Sequence, residues 1–394
     1  MRPASRYLLR AALVLVVALL GAVLFRLSDP AVTPHDDFIS SWAAGRLNAE
    51  GRNPYDPDQV LAVQRTAGWT KPIPYRIWYP PWTMPLLAPF GLLPYATGRF
   101  LWFVLHIAAC VVSADLLWRH HGGDRRSRGL SWVVVSTFWP ALIEVRTGQI
   151  SALILLGLVG FLTLVRARRW AAAGACLPLV AIKPALLHLV WIAVLLWVIA
   201  ERRWRVIVGA AAATLALVAL ALASNPSVVA QFVDMAMHEV PQPLVSTPGT
   251  LLRLAVAARS GQDAPWLQLL PPLVGTVWLA LHWRRRVGAW DWRDEMPPIL
   301  LASLLTTAYG WIYDDIVLLV PVMQVAVAVV AGRTRTSPAL IAGGYLLLNA
   351  AIIAMNVVRA DAFYYVWVPL AFAAWYAAAR MRGGAPETSA LARA

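Results

Sequence analysis

The chain has 394 residues, of which 60% are hydrophobic and only 14% are charged. A soluble domain would carry more charge, so this composition excludes the soluble classes and indicates a multi-pass membrane protein. The formal net charge is +14, but the arginines recur in clusters between apolar stretches. That spacing is typical of membrane topology signals rather than of a nucleic-acid surface, so no nucleic-acid partner is expected.

The first predicted membrane span covers residues 8–27. It follows a short basic segment and lacks a clear signal-peptide cleavage site, so an uncleaved span is expected. Arg2, Arg6 and Arg10 then place the N-terminus in the cytoplasm. Residues 28–96, which are polar and rich in proline, are consequently predicted to form an extracytoplasmic loop.

Short helices are predicted within this loop. The pattern predicts one helix over Ile39–Glu50, ending before Asn53-Pro54, and a second over Pro57–Gly68. Residues 80–95 contain too many prolines for an ordinary span and are predicted to form a short interfacial helix.

The remaining arginine clusters set the topology of the rest of the chain. Turns at Arg146–Gln149, Lys183–Pro184 and Tyr309–Asp315 fall between cytoplasmic clusters and are therefore predicted to be extracytoplasmic. The fold class is an all-α membrane protein with about 12 spans, both termini in the cytoplasm and a single domain over residues 1–394. Its predicted segments after the first loop are core spans over 97–223, a second outer loop over 224–265, C-terminal spans over 266–382 and a cytoplasmic tail over 383–394.

This topology collects several polar residues on the outer side. Asp36 and Asp37 stand close to the membrane, where a carboxylate is costly unless it is solvated, paired or functional. They could equally cap the helix that begins near Phe38. Lys183, one of only two lysines, precedes a proline at a break between apolar stretches; it could meet an anionic ligand or simply snorkel to the interface.

Four short motifs carry a resemblance to a known family. They are Asp37-Phe38 followed by Trp42-Ala43-Ala44-Gly45 and Asn53-Pro54-Tyr55, then Tyr79-Pro80-Pro81, Gly148-Gln149-Ile150 and Ile182-Lys183-Pro184. In this order they resemble the motifs of glycosyltransferase family 87. The resemblance covers most of the first 200 residues and returns weakly at 307–314.

The resemblance implies a fold of the GT-C type and transfer of a sugar from a polyprenyl-phosphate donor to a lipid or glycan acceptor. Asp37 would be the general base, because the acceptor hydroxyl must lose a proton. Lys183 would contact the donor phosphate. Further implied contacts to the donor are Gln149, Arg146 and Tyr79, and possible supporting residues are Asp36, Tyr313, Asp314 and Asp315.

Two departures from the family pattern concern the donor. Ser151 stands where the family's G-Q turn has asparagine, and Thr307–Asp314 reads TAYGWIYD where the family's mannosyltransferases have a histidine-rich segment. The histidine-rich contact is therefore absent, and the donor sugar stays open between mannose and another hexose or pentose.

No cofactor is expected. The chain has no Walker or G-x-G-x-x-G motif for a nucleotide, and two adjacent carboxylates at Asp314 and Asp315 supply too few ligands to imply a divalent cation. Cys110 and Cys176 lie in apolar stretches and match no metal-binding spacing. No metal site is therefore predicted.

Two other classes of protein remain compatible with the sequence. A transporter would also have about 12 spans with proline breaks, although the long first loop and the absence of a repeat between the halves count against it. A polymerase or ligase of lipid-linked glycans would share the chemistry and differ in the acceptor. The expected partners are membrane lipids, the donor and the acceptor, for a monomer in the cell membrane with an extracytoplasmic active site.

Overall fold

The computed structural model describes residues 19, 21–238 and 245–379, and within these ranges it contains helices and no β-strand. The all-α prediction is confirmed for this part of the chain. Residues 21–27 are helical, but most of the predicted first span (8–27) lies outside the described residues. The predicted cytoplasmic tail (383–394) lies outside them entirely.

The α-helices follow one another in the order of the chain. They are α1 (Phe38–Ala49), α2 (Pro57–Thr66), α3 (Met84–Gly91), α4 (Tyr95–His120), α5 (Gly129–Thr137), α6 (Trp139–Thr147), α7 (Ser151–Arg166), α8 (Trp170–Ala175), α9 (Leu177–Val180), α10 (His188–Glu201), α11 (Trp204–Ser224), α12 (Val228–His238), α13 (Pro248–Ser260), α14 (Leu270–Arg286), α15 (Trp292–Thr306), α16 (Leu319–Val330), α17 (Pro338–Val357) and α18 (Val368–Ala378). Short 3₁₀ helices cover Pro81–Thr83, Pro265–Leu269, Ile312–Leu318 and Ala362–Trp367.

The helices predicted in the first loop are present. Helix α1 agrees with the predicted helix at Ile39–Glu50 within one residue at each end. Helix α2 begins at Pro57, and the Asp56 side chain accepts a hydrogen bond from the Gln59 backbone N–H, which is the usual N-cap arrangement. The proline-rich segment forms a 3₁₀ turn that leads into α3.

Four helices in the described ranges are long and apolar enough to cross a membrane, judged by length and composition. They are Tyr95–His120, Trp204–Ser224, Ile312–Val330 and Pro338–Val357. Ile312–Val330 is mostly buried within the protein, whereas Trp204–Ser224 and Pro338–Val357 leave most of their apolar side chains exposed. Such exposed apolar surface suits a lipid environment, so these findings support a membrane protein.

The predicted count of about 12 spans stays a prediction. Several stretches predicted as spans consist of shorter helices, because proline interrupts them. Residues 129–147 form α5 and α6, which separate at the extended residue Phe138 shortly before Pro140. Pro178 likewise lies at the start of the four-residue helix α9.

One predicted turn is shorter than expected. The turn predicted at Tyr309–Asp315 covers residues 307–311, because a 3₁₀ helix already begins at Ile312. Asp314 and Asp315 therefore lie in a helix, with 0% and 5% of their surface exposed, and not in an open loop. The prediction of a loop position for these two carboxylates was wrong.

The chain divides into two compact units. Unit 1 comprises Met1–His106, Arg146–Gln149 and Leu215–Glu239, and unit 2 comprises Ile107–Val145, Ile150–Thr214 and Val240–Ala394. The predicted single domain stays a prediction.

Unit 1 is centred on the close crossing of α1 and α3. A Cβ atom added at Gly45 in α1 would lie 2.6 Å from the Leu87 backbone, and one added at Gly91 in α3 would lie 2.4 Å from the Arg46 backbone nitrogen. Small residues therefore allow the two backbones to touch, as at close helix crossings in membranes. Helix α1 is buried over most of its surface as a result.

Unit 2 contains a similar crossing between α8 and α11. Added Cβ atoms at Gly174 and Gly209 would lie 1.9 Å from the carbonyl oxygens of Val206 and Ala171, respectively. Glycine on both helices thus permits direct backbone contact. Helix α7 is also largely buried, with residues such as Leu155, Leu158 and Phe161 fully inaccessible to solvent.

The α1–α3 crossing predicts a position-specific effect of alanine. Gly45→Ala should destabilise the protein by about 1–3 kcal/mol, because the methyl group has no space and backbone atoms must move. Thermal unfolding of the detergent-purified protein measures this. Gly343→Ala is the matched control, since an added Cβ there meets nothing within 4 Å and helical alanine is favourable. Equal melting temperatures for the two variants would contradict the packing described.

Candidate functional site

Asp37 is held at the start of α1 without acting as a side-chain cap. It occupies the N-cap position, yet its side chain makes no capping hydrogen bond to the helix. Its backbone N–H instead donates to the Thr147 carbonyl oxygen at 2.9 Å. The side chain is partly exposed. The capping alternative therefore does not account for this carboxylate.

The Gln149 side chain connects Asp37 to Tyr79. Its amide nitrogen Nε2 donates to Asp37 Oδ2 at 2.6 Å, and its Oε1 accepts from the Tyr79 hydroxyl at 3.2 Å. The Tyr55 hydroxyl in turn donates to the Tyr79 carbonyl oxygen at 2.9 Å. Because the amide has one donor side and one acceptor side, these two contacts fix its orientation. Three predicted site residues thus meet in unit 1.

The turn before Gln149 has the geometry that places this amide. Gly148 has φ +68°, a conformation that favours glycine, and an added Cβ would lie 2.9 Å from Phe38 Cβ. The indole N–H of Trp102 donates to the Gly148 carbonyl oxygen at 2.9 Å. The G-Q motif therefore needs its glycine for both conformation and space.

Asp36 has a different environment from its neighbour. Its Oδ2 accepts from Arg99 Nη2 at 2.8 Å and Nε at 3.0 Å, and its Oδ1 accepts from the Phe38 backbone N–H at 3.2 Å. Arg99 also donates to two backbone carbonyl oxygens, at Thr33 and Pro34. Burial raises the pKa of Asp36 to about 6, while Arg99 acts to lower it. Asp36 thus has a structural role: it links the segment that precedes α1 to Arg99 in α4.

Lys183 belongs to a buried ion pair in unit 2. Its Nζ lies 2.7 Å from Asp314 Oδ1 and 3.3 Å from the Ser151 hydroxyl oxygen. Ser151 itself donates to the same Asp314 oxygen at 2.6 Å. The side chain of Lys183 is only 7% exposed. The alternative that Lys183 snorkels to solvent is therefore wrong.

Asp314 is fixed by its place at the start of a 3₁₀ helix. Its Oδ2 accepts from the Trp311 backbone N–H at 3.1 Å, and its own N–H donates to the Trp311 carbonyl oxygen. The neighbouring Tyr313 ring lies under Lys183, with Nζ 4.7 Å from its centroid. Asp315 instead lines a separate small cavity with Thr307. Of the possible supporting residues in unit 2, Asp314 and Tyr313 contact Lys183.

Arg146 is placed less specifically by the structure. It lies in the last turn of α6 and is exposed. The nearby Glu144 is fully buried, and its Oε1 accepts from the Ala152 N–H at 2.9 Å, near the start of α7. Glu144 thus satisfies an orphan helix donor.

Sequence reasoning missed two participants. Arg99 was overlooked, although a charged residue within an apolar span is a signal for a paired or functional group. Ser151 was noted only as a departure from the family pattern, yet its hydroxyl joins the Lys183–Asp314 pair. Its position two residues after Gln149, within a motif of the family resemblance, was the signal that could have marked it as a site residue.

The described residues contain no group of three or more His, Cys, Asp or Glu side chains that could hold a metal ion. The acidic residues of interest are instead engaged by cations or amides.

The apolar helices are those of a helical membrane protein. One polar cluster holds the Asp37 carboxylate, and the other holds the Lys183 ammonium group. The model of glycosyltransferase family 87 matches residues 77–309, more than half of the chain. The chain belongs to glycosyltransferase family 87, and it is accordingly a membrane glycosyltransferase. No curated protein and no solved structure matches it. The matched range includes Tyr79, Gln149 and Lys183, and it begins after Asp37.

The Lys183–Asp314 pair predicts a large cost for single substitutions. Lys183→Gln and Asp314→Asn should each destabilise the protein by about 3–5 kcal/mol, because each leaves one buried charge without its partner. The double variant should recover part of this loss. Unfolding measurements on all four proteins, the parent included, give the coupling energy.

Arg253→Gln supplies the control, since its partner Asp263 lies at the surface. Water replaces a lost partner there, so only a small change in melting temperature is expected. Additive effects at Lys183 and Asp314, with no coupling, would contradict a shared buried pair.

Proposed function

We propose that this glycosyltransferase moves a sugar from a polyprenyl-phosphate donor to a hydroxyl group of a lipid or glycan acceptor on the extracytoplasmic side. The acceptor oxygen forms a bond to the anomeric carbon, and the bond from that carbon to the phosphate oxygen breaks. The hydroxyl proton passes to Asp37, and polyprenyl phosphate leaves. Because phosphate is already a good leaving group, catalysis depends mainly on deprotonation, positioning and charge stabilisation.

The observation that carries the proposal is the contrast between the two adjacent carboxylates. Asp36 accepts hydrogen bonds from Arg99 and the Phe38 N–H, and Asp37, which is partly exposed and makes no side-chain cap, accepts one from Gln149. The hydrogen bond from Gln149 to Oδ2 orients the Asp37 carboxylate. An oriented carboxylate that an acceptor can reach has the features of a general base. Gln149 is then a positioning residue, and Tyr79 fixes Gln149.

Lys183 is proposed to contact the donor phosphate. Asp314 and Ser151 hold its ammonium group in one position, and the aromatic face of Tyr313 further stabilises the cation. A fixed ammonium loses little freedom when an anion binds. Asp314 also reduces the net charge of the cluster. The exposed Arg146, which the family resemblance implies as a donor contact, stays a proposed contact on that ground alone.

The extracytoplasmic location is supported by the arginine pattern of the sequence. The turns that carry Gln149 and Lys183 lie between arginine clusters that indicate cytoplasmic loops. A polyprenyl-phosphate donor suits this side, since no nucleotide-binding motif is present. The donor sugar is a hexose or pentose, and the histidine-rich segment of the family's mannosyltransferases is absent at Thr307–Asp314.

Asp37→Asn tests the base directly. Purified protein is incubated with a panel of radiolabelled polyprenyl-phosphate hexoses and pentoses and with membrane lipid extract. We expect the parent to transfer label from one donor and Asp37→Asn to lose about 10²–10⁴-fold in rate, because the amide cannot accept the proton. The melting temperature should stay unchanged.

The matched variant is Asp36→Asn, which alters the adjacent carboxylate. It should lower the melting temperature, because it weakens the contact with Arg99, and should retain more activity per folded molecule than Asp37→Asn. Full activity in Asp37→Asn would contradict the assignment. Label recovered in polymeric glycan rather than in a single lipid product would identify a polymerase or ligase instead.

Gln149→Glu gives a readout that a purely structural role would not produce. A second carboxylate beside Asp37 disfavours its ionised form and so raises its pKa. The base is then protonated up to a higher pH, and the acid limb of the rate profile should move to higher pH. Gln149→Leu removes the hydrogen bond without adding charge and serves as the control. If the acid limb of the rate profile lay at the same pH in Gln149→Glu and in the parent, the contact between residue 149 and Asp37 would be contradicted.

A further inference from the structure

Unit 2 contains a cavity of about 620 Å³ that lies apart from the residues assigned to glycosyl transfer. Its volume is that of a small-molecule site. Four arginines line it, namely Arg166, Arg168, Arg203 and Arg293. None of these four has a role in the proposed transfer, so the cavity calls for its own explanation.

Tryptophan rings form much of the wall. Trp292 lies edge-on to Trp197 and to Trp290, with ring centroids 5.6 and 5.4 Å apart. The Arg203 guanidinium stacks over Trp170 with its central carbon 4.4 Å from the ring centroid. Rigid aromatic walls of this kind present both apolar faces and indole N–H donors.

Several buried donors of the wall have no partner within the described residues. They are the Trp290 and Trp292 indole N–H groups and the Arg203 Nε–H; both ring nitrogens of His120 are also without a partner. His120 and Trp292 are only 5% and 4% exposed. A buried donor without an acceptor costs free energy, so an acceptor that reaches these donors would be stabilised.

The two carboxylates at the cavity do not balance its positive charge. Glu201 pairs with Arg203 at 3.2 Å, and it is well exposed. Asp291 accepts from the Arg293 backbone N–H at 2.9 Å and caps α15. Four guanidinium groups against two engaged carboxylates leave the cavity cationic, so the ligand should be an anion.

We propose that this cavity binds the phosphate group of a ligand, either the head group of an anionic phospholipid or a soluble phosphate ester. Phosphate oxygens match guanidinium and indole donors, and the tryptophan faces accept the apolar part next to the phosphate. Arginine and tryptophan together are also typical of membrane interfaces. The arginine clusters around the cavity belong to the predicted cytoplasmic loops, where anionic lipids are attracted to basic residues.

Native mass spectrometry of the full-length protein in detergent tests the proposal with three probes. They are phosphatidylglycerol, diacylglycerol with the same acyl chains, and glycerol 1-phosphate. We expect phosphatidylglycerol to be retained and diacylglycerol to be lost. Arg203→Gln should weaken retention of phosphatidylglycerol about tenfold, because one charge-assisted contact is removed. Trp290→Phe, which removes the indole donor and part of the ring but no charge, should weaken it less.

Arg205→Gln is the matched control, since it makes the same charge change two residues away from Arg203 and does not line the cavity. Arg205→Gln should retain phosphatidylglycerol as strongly as the parent protein does. Binding of glycerol 1-phosphate with the same dependence on Arg203, and no retention of the lipid, would identify a soluble phosphate ester. Equal binding of every probe by the parent, Arg203→Gln and Trp290→Phe would overturn the proposal.

Discussion

The constraint on which this structure depends is that a charge held in an apolar protein needs a partner. Arg99, only 1% exposed, is satisfied by Asp36 and two backbone carbonyl oxygens. Lys183 is satisfied by Asp314 and Ser151. Breaking either pair would leave a charge whose desolvation is not compensated. The pairs therefore fix the positions of the segments that carry them, and this rigidity is what a catalytic group nearby requires.

That constraint also separates two carboxylates that are neighbours in sequence. Both carboxylate oxygens of Asp36 accept hydrogen bonds, one from Arg99 and the other from the Phe38 N–H. These contacts fix the chain where it enters α1. Asp37 follows one residue later and is oriented by a neutral amide, Gln149. The Gln149 hydrogen bond thus holds the proposed base in one orientation, while Arg99 holds its neighbour.

The sequence allowed the helices of the first loop and the grouping of the Asp37, Gln149 and Tyr79 motifs to be predicted. Proline, capping residues and the hydrophobic pattern act locally, and the family resemblance supplied the rest. The close crossing at Gly45 and Gly91 could not be predicted, because a glycine in a helical segment does not indicate which other helix packs against it. Asp314 was misplaced for a related reason: the arginine clusters predict a turn between them but not the residue at which the next helix begins, and only the distant Lys183 makes burial of Asp314 acceptable.

The same constraint applies to hydrogen-bond donors that have no partner. At the Lys183 cluster the polar groups satisfy one another, so the cluster is stable before any substrate arrives. At the tryptophan and arginine cavity the donors of Arg203, Trp290 and Trp292 remain unsatisfied among the described residues. An acceptor that reaches these donors would satisfy them, just as Asp314 satisfies Lys183. The excess of guanidinium groups over carboxylates around the cavity favours an anionic acceptor.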